Sequence, residues 1–312
     1  MTFAALILSA ASLHAQTPTE RGKALIDARK YNEARTVLEP VGKNDAQAAW
    51  YLGQIAMEQN DPGKAADWFE KAVELNPRSS VYYDWLGRAY GDEAQHASKL
   101  KLPFLAKKTK SAWDKSLALD PENLDTRSDL ILYYIGAPAF LGGGNDKARA
   151  MALEIKKRNP YRGAASMIRV CTDAKDQPCL ERELNFLVST YPDSSAGYTS
   201  LAVFYTNNKQ FDKAFEIVDR RLKMKPNDPA GLYAYGRASS VSGMNLERGE
   251  QALKGYIAAP IPTGPPVANA HYRLGLILEK KGDKAGARSE YQAALRIDPA
   301  LQDAKKALDA LH

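Results

Sequence analysis

The sequence predicts an all-α protein made of stacked helical hairpins. Two distant segments, 46–79 and 268–301, share one internal spacing, with 12 residues from a glycine to the first alanine and 24 from that glycine to a proline. Further along, Pro192, Pro226 and Pro260 recur at steps of 34 residues. Self-similarity at a period of this length is typical of repeat architectures, in which each unit stacks on its neighbours to bury its apolar face.

The residues within one unit explain why it forms a hairpin. In segment 46–79, Gly53 and Ala65 are small enough to let two helix axes approach closely, while Leu52 and Phe69 fill the seam between them. Pro77 then ends the second helix. Each hairpin alone has an uncovered apolar stripe, so a series of stacked units is expected.

These residues resemble the tetratricopeptide repeat (TPR), whose unit is a pair of antiparallel helices. The resemblance extends from about residue 20 to the end and implies a right-handed α-solenoid of about eight TPR-like hairpins with a C-terminal capping helix. The solenoid is expected over residues 17–312, with hairpins near 17–45, 46–79, 80–123, 124–162, 163–194, 195–228, 229–262 and 268–301 and the cap at 301–312.

The first fifteen residues, MTFAALILSAASLHA, form an apolar run that ends in small residues and is too short to span a bilayer. We interpret residues 1–15 as a signal peptide cleaved after Ala15, with Ala11 as the alternative, although no Lys or Arg precedes the run. A buried first helix is the other interpretation. The expected location is therefore periplasmic or secreted, with no transmembrane segment in the mature chain.

The two cysteines, Cys171 and Cys179, fall at the end of one predicted helix and the start of the next. Antiparallel helices bring such positions together, so a disulfide is expected, with two separate buried thiols as the alternative.

Two adjacent hairpins are longer than the repeat, since the steps from Pro77 to Pro121 and from Pro121 to Pro160 are 44 and 39 residues. Both insertions are expected to lie side by side at the same edge of the solenoid. The first combines Leu102, Phe104 and other apolar residues with lysines, and the second contains Phe140, Leu141 and the run 142–144 of glycines. The apolar residues either dock an anionic or membrane-proximal partner or pack against each other. For the glycine run, a turn capped by Asn145 is favoured over an anion site.

In the TPR family the first helix of each unit lines the inner face. Transferring those positions implies a partner-binding surface of aromatic and arginine side chains, although Trp50 and Tyr272 could equally serve packing between repeats. The candidate residues on this face are Trp50, Gln54, Arg88, Tyr233, Arg237 and Tyr272. The lysines and asparagines with which some members grip a chaperone tail are absent from these positions.

No motif for catalysis, metal or cofactor binding is present, and the four histidines are scattered. A net charge of +6 could favour nucleic acid, but many basic residues lie at predicted helix ends, where they offset the helix dipole. The sequence therefore predicts a non-catalytic scaffold for a protein or peptide partner. The alternatives are an envelope or polysaccharide-assembly factor that uses the inserted loops, with membrane or glycan proximity, and an enzyme.

Overall fold

The computed structural model describes residues 16–259 and 266–311. Within these residues it contains 17 α-helices, a short 3-10 helix at Ala139–Leu141 and no strand, which confirms the all-α class. The expected signal peptide at residues 1–15, Pro260 and the final residue of the cap lie outside the described residues.

The chain divides into an N-terminal unit, Met1–Asn159, and a C-terminal unit, Pro160–His312. The helices of the N-terminal unit are α1 (Pro18–Asp27), α2 (Tyr31–Gly42), α3 (Ala46–Glu58), α4 (Pro62–Leu75), α5 (Ser80–His96), α6 (Leu102–Leu119), α7 (Leu124–Gly136) and α8 (Asn145–Arg158). Those of the C-terminal unit are α9 (Pro160–Asp173), α10 (Gln177–Thr190), α11 (Ser195–Asn207), α12 (Phe211–Met224), α13 (Pro229–Ser242), α14 (Leu246–Ala258), α15 (Val267–Lys280), α16 (Lys284–Ile297) and α17 (Gln302–Ala310).

Short polar side chains fix where many helices begin. The Asp45 carboxylate accepts hydrogen bonds from the backbone N–H groups of Gln47 and Ala48, at 2.8 and 3.1 Å. Ser79 caps α5 in the same way through its hydroxyl. These caps satisfy backbone donors that have no partner inside the helix, so each new hairpin starts at a defined residue.

The crossing of the two helices in a hairpin depends on glycine facing a large side chain. A Cβ atom at Gly53 would overlap the Phe69 ring, and one at Gly275 would overlap the Tyr291 ring. Both rings are fully buried, which places them at the centre of their hairpins. The spacing that identified the repeat in the sequence therefore corresponds to direct contact between α3 and α4 and between α15 and α16.

One boundary differs from the expectation. Helix α9 begins at Pro160 and not near residue 163, so Pro160 opens the fifth hairpin instead of ending the fourth. Proline is well tolerated in the first turn of a helix, where its missing N–H would have no partner.

The inserted residues lengthen existing elements. Helices α5 and α6 have 17 and 18 residues, against 13 and 14 in α3 and α4. The second insertion forms the 3-10 helix, which contacts α6. The two insertions thus lie side by side, as the sequence analysis expects.

Candidate functional site

The C-terminal unit contains a cleft of about 640 Å³ lined by α9, α10, α11 and α13. Helix α11 packs on α13 and α13 on α15, but α9 packs on α10 and has no comparable contact with α11. The first helices of the fifth and sixth hairpins therefore lack the close backbone contact that joins those of the sixth, seventh and eighth hairpins. The cleft lies between the short fifth hairpin and the sixth.

The floor of this cleft is apolar. It consists of side chains from three helices that are buried or partly buried, namely Ile168, Leu180, Leu184, Val203 and Phe204. Binding sites in proteins are commonly concave and apolar with a few polar groups that fix orientation. The cleft could accordingly accept an apolar side chain from a partner.

Polar side chains surround the apolar floor of the cleft. Among the lining residues, Arg237 is the charged one. Its Nη2 donates to Oδ1 of Asn207 at 2.8 Å. Its Nε is buried and has no hydrogen-bond partner among the described residues. Burial lowers the pKa of Arg237, and the nearby positive charge of Arg273 lowers it further, while Tyr233 opposes them.

Arg273 and Tyr233 support the same end of the cleft. Nε of Arg273 donates to the Tyr233 hydroxyl at 3.0 Å, and its guanidinium lies 5.7 Å from the centre of the Tyr233 ring. The Tyr233 ring also contacts that of Tyr256, with 5.2 Å between ring centres. Tyr233 is therefore held from two sides and presents a fixed edge to the cleft.

The lining of the cleft contains a cationic side chain and no carboxylate. None of the described residues that line it is Asp or Glu. Neither Arg237 nor Arg273 has a carboxylate within 4.0 Å in the described part of the chain. An unpaired, partly desolvated guanidinium favours an anionic ligand group, because hydrogen bonds between charged groups are the stronger ones.

In the N-terminal unit, Trp50 serves packing. Its ring contacts those of Tyr51, Tyr82 and Trp85, with centre distances from 5.1 to 6.2 Å. Gln54 lies one turn later on the same helix and is half-buried. The structure therefore places Trp50 in the contact between α3 and α5, which is the alternative that the sequence left open.

Arg88 is engaged within the protein. Its guanidinium pairs with Asp84 at 2.9 Å and with Asp129 at 2.6 Å. Burial raises the pKa of Asp84 to about 6, although Arg88 and the Thr126 hydroxyl favour the ionised carboxylate. Because both partners are supplied by the chain itself, Arg88 joins α5 to α7 and is not a free cation like Arg237.

Tyr272 is also largely structural. It is half-buried, and its ring lies 6.1 Å from that of Tyr291 in the core of the eighth hairpin. Of the six candidates on the inner face, the structure brings Tyr233 and Arg237 together at one cleft and distributes the others elsewhere.

The apolar residues of the two insertions have different surroundings. Leu102 and Leu141 line a second cavity, of about 590 Å³, together with residues of α5 and α7. Phe104 and Phe140 instead are 62% and 81% exposed. Some of these residues therefore pack inward, while others face outward.

The glycine run forms a turn that closes on α7. The N–H of Gly144 donates to the Tyr134 carbonyl at 2.8 Å, and a side chain at Gly143 would collide with the Ala137 carbonyl. The expected cap by Asn145 is wrong. Gly144 occupies the cap position, Asn145 is already the first residue of α8, and no side chain caps this helix.

Cys171 and Cys179 form a disulfide within the fifth hairpin, with their Cα atoms 5.8 Å apart. Both are buried. The bond joins α9 to α10, which together form one wall of the cleft.

Several residues of the cleft were not among the sequence candidates. These are mainly Ile168, Gln177, Leu180, Leu184, Thr199, Val203, Asn207 and Asn208. The only signal for them was the 32-residue step from Pro160 to Pro192, since a shortened unit indicates an irregular stacking contact.

The described residues show neither a metal site nor a membrane-spanning helix. No group of three or more His, Cys, Asp or Glu side chains in residues 16–259 and 266–311 is arranged to hold a metal ion. Among the helices in those ranges, none has the length and apolar character needed to cross a membrane.

Comparison with known proteins supports the interpretation of the repeat. Family models described as tetratricopeptide repeat match residues 19–80 and 268–301. A tetratricopeptide repeat protein from Parabacteroides merdae has a similar fold, with a TM-score of 0.53 and 14% identity over 94% of this chain and 97% of that one.

Two curated sequences are similar over a shorter stretch. Protein O-mannosyl-transferase TMTC1 from Homo sapiens is 27% identical over 176 residues, which is 54% of this chain and 19% of that protein. The protein of the same name from Mus musculus is 24% identical over 151 residues, 48% of this chain and 15% of that protein. This chain thus matches less than a fifth of the length of either relative.

The stacked hairpins and the open cleft define a helical-repeat protein of the kind that serves as an interaction scaffold. Because family models match at residues 19–80 and 268–301 and a TPR protein has a similar fold, the chain contains tetratricopeptide repeats.

Proposed function

We propose that this chain is a non-catalytic scaffold that binds an extended segment of a protein partner in the C-terminal cleft, with an acidic side chain of that segment against Arg237. The observation that carries this proposal is the Arg237 guanidinium, which lies at the rim of an apolar cleft without a carboxylate partner. A partly buried cation that lacks a counter-ion gains from an anionic ligand group.

The lining of the cleft favours a peptide. Its apolar floor fits a side chain such as Leu or Phe, while Asn207, Asn208 and Gln177 supply amide donors and acceptors for a peptide backbone. The similarity to O-mannosyl-transferases covers less than a fifth of their length and supports no transfer of activity to this chain.

Selection from a random peptide display library on the immobilised protein tests this proposal. The enriched peptides are expected to place Asp or Glu next to apolar residues. Their affinity, measured by fluorescence polarisation, is expected to fall about tenfold in Arg237→Gln, since a hydrogen bond to a charged group contributes roughly 1.5–3 kcal/mol. Removing Tyr233 as well is expected to weaken binding further.

The matched control is Arg296→Gln, which removes an exposed arginine of α16 that does not line the cleft. Its affinity for the same peptides is expected to equal that of the wild type. Peptides without acidic residues, or equal binding by the Arg237→Gln variant, would contradict the proposal. Circular dichroism of each variant checks that helicity is retained.

We further propose that the protein acts outside the cytoplasm, in the periplasm or after secretion. The apolar residues 1–15 and the disulfide support this, because disulfides persist mainly in oxidising compartments. Expressed from residue 1 in a bacterial host, the protein is expected in the periplasm with its N-terminus at Gln16 and with no thiol titratable after denaturation without reductant. A cytoplasmic protein with two free thiols would contradict this.

A second candidate function is an assembly factor of the cell envelope that contacts its partner through the inserted loops. The exposure of Phe104 and Phe140 favours it. Substitutions at Leu102, Phe104 and Phe140 would then weaken partner capture, and substitutions at Arg237 would not.

A further inference from the structure

The two insertions form a projecting apolar surface, which we call the insertion tip and define as residues 97–107 and 138–142. Leu100, Phe104 and Phe140 are 92%, 62% and 81% exposed. They belong to neighbouring segments, because the 3-10 helix contacts α6. Single exposed apolar residues are common on soluble proteins, but a group of three large ones on adjoining segments indicates a contact surface.

The charged residues of the insertion tip itself are all lysines. From residue 97 to residue 113 the sequence contains five lysines and no acidic residue. Two of these lysines, Lys108 and Lys110, pair with Glu70 and Asp114. The other three, Lys99, Lys101 and Lys107, are exposed and have no carboxylate within 4.0 Å in the described part of the chain.

Several backbone groups of the insertion tip are paired within the tip or with α7. The N–H groups of Lys101 and Leu102 donate to the Ser98 carbonyl at 2.9 and 3.0 Å. The N–H of Leu141 donates to the Pro138 carbonyl at 2.9 Å, and the Tyr133 hydroxyl donates to the Leu141 carbonyl at 2.5 Å. Such a surface can enter an apolar medium without leaving these backbone groups unpaired.

These three properties distinguish between possible partners. An acidic protein would need directional groups that match those of the tip, and the tip offers few beyond its lysines. A lipid surface needs only apolar side chains to enter the headgroup region and cations to attract anionic headgroups. We propose that the insertion tip is a docking surface for a membrane that contains anionic lipid, into which Leu100, Phe104 and Phe140 insert while Lys99, Lys101 and Lys107 contact the headgroups.

Co-sedimentation of the full chain with vesicles tests the proposal. The protein is expected to bind vesicles of phosphatidylcholine with phosphatidylglycerol and not vesicles of phosphatidylcholine alone. Binding is expected to weaken as ionic strength rises, because salt screens the exposed charges. The triple variant Lys99→Gln, Lys101→Gln, Lys107→Gln is expected to bind about hundredfold more weakly, at about fivefold for each lysine.

Matched controls at positions outside the insertion tip separate its contribution from general effects of charge and apolar exposure. The triple variant Lys223→Gln, Lys305→Gln, Lys306→Gln removes the same charge from exposed positions and is expected to bind as the wild type does. The double variant Phe104→Ser, Phe140→Ser is expected to lose binding. The double variant Leu153→Ser, Ile297→Ser, at positions that are 51% and 53% exposed, is expected to retain it.

An environment-sensitive dye on Leu100→Cys reports insertion directly. Its emission is expected to shift to shorter wavelength when anionic vesicles are added, while the same dye on Leu153→Cys stays unchanged. Equal shifts at both positions, no binding to anionic vesicles, or equal weakening by the two lysine variants would overturn the proposal. Binding of the tip to polyglutamate but not to vesicles would overturn it in favour of an acidic polymer.

Discussion

Replacement of Phe69 by alanine is expected to lower the free energy of unfolding of the N-terminal unit by about 3–5 kcal/mol. The Phe69 ring is fully buried, lies against the backbone of Gly53 and is 5.8 Å from the Trp85 ring in the next hairpin. It therefore contributes both to its own hairpin and to the contact with the following one. Since stacked repeats depend on such contacts, a cavity at this position weakens two interfaces at once.

Urea denaturation followed by helicity measures this effect. The matched control is Val81→Ala, because Val81 is 45% exposed on α5 and its truncation leaves no cavity. The control is expected to change the free energy by no more than about 0.5 kcal/mol. If Phe69→Ala lowered the free energy of unfolding as little as the control does, the contact between Gly53 and Phe69 would not be the packed centre of the hairpin.

Replacement of Arg221 by methionine is expected to destabilise the C-terminal unit by about 3–5 kcal/mol, because it leaves a buried carboxylate without its partner. Arg221 is 2% exposed. Its guanidinium pairs with Asp228 at 2.9 Å and donates to the Asp193 carbonyl at 3.2 Å. Asp228 in turn accepts from the Ser195 hydroxyl and the N–H of Gly231, so the pair holds the start of α13 against α11 and α12.

The same pair gives stability that depends on pH. Burial opposes ionisation of Asp228, but hydrogen bonds from Arg221, Ser195 and Gly231 prevail and lower its pKa below the ordinary value of 3.8. A carboxyl with a lower pKa in the folded than in the unfolded state stabilises the fold above its unfolded pKa of about 3.9 and loses that effect as pH falls through the folded pKa. Asp228→Asn is therefore expected to reduce the loss of stability on acidification.

Urea denaturation of both variants over a pH series tests these expectations. Lys223→Met is the control for Arg221→Met, since Lys223 is exposed on the same helix and its change is expected to stay within about 0.5 kcal/mol. A stability of Arg221→Met equal to that of the control would mean that the ion pair does not hold α13 in place. Because α13 carries Tyr233 and Arg237, the pair also supports the proposed binding cleft.

The sequence was sufficient to predict the hairpins because their contacts are local. Gly53 meets Phe69 and Gly275 meets Tyr291 within single units, so a fixed spacing along the chain corresponds to a fixed contact in space. The disulfide was predictable for the same reason, since Cys171 and Cys179 are separated by only one turn between two helices. The sequence predicts that Pro160 ends the fourth hairpin, but Pro160 opens α9. The prediction is wrong because proline can either follow a helix or begin one.

The candidate site was only partly predictable. Tyr233 and Arg237 are predicted from their positions in the repeat, but the cleft beside them lies where α9 has no close backbone contact with α11. Packing between neighbouring hairpins is not determined by the sequence of one hairpin. Arg88 illustrates the same limit, because its carboxylate partner Asp129 lies in the next hairpin and 41 residues away.

The most direct test of the cleft as the binding surface is photocrosslinking with a peptide selected on the wild-type protein. A photoreactive phenylalanine at Val203 lies within the cleft, and one at Ile297 occupies an exposed position of α16 outside it. The peptide is expected to crosslink at position 203 and not at 297, and Arg237→Gln is expected to reduce the yield. Crosslinking at 297 but not at 203 would contradict the proposal that the C-terminal cleft holds the partner.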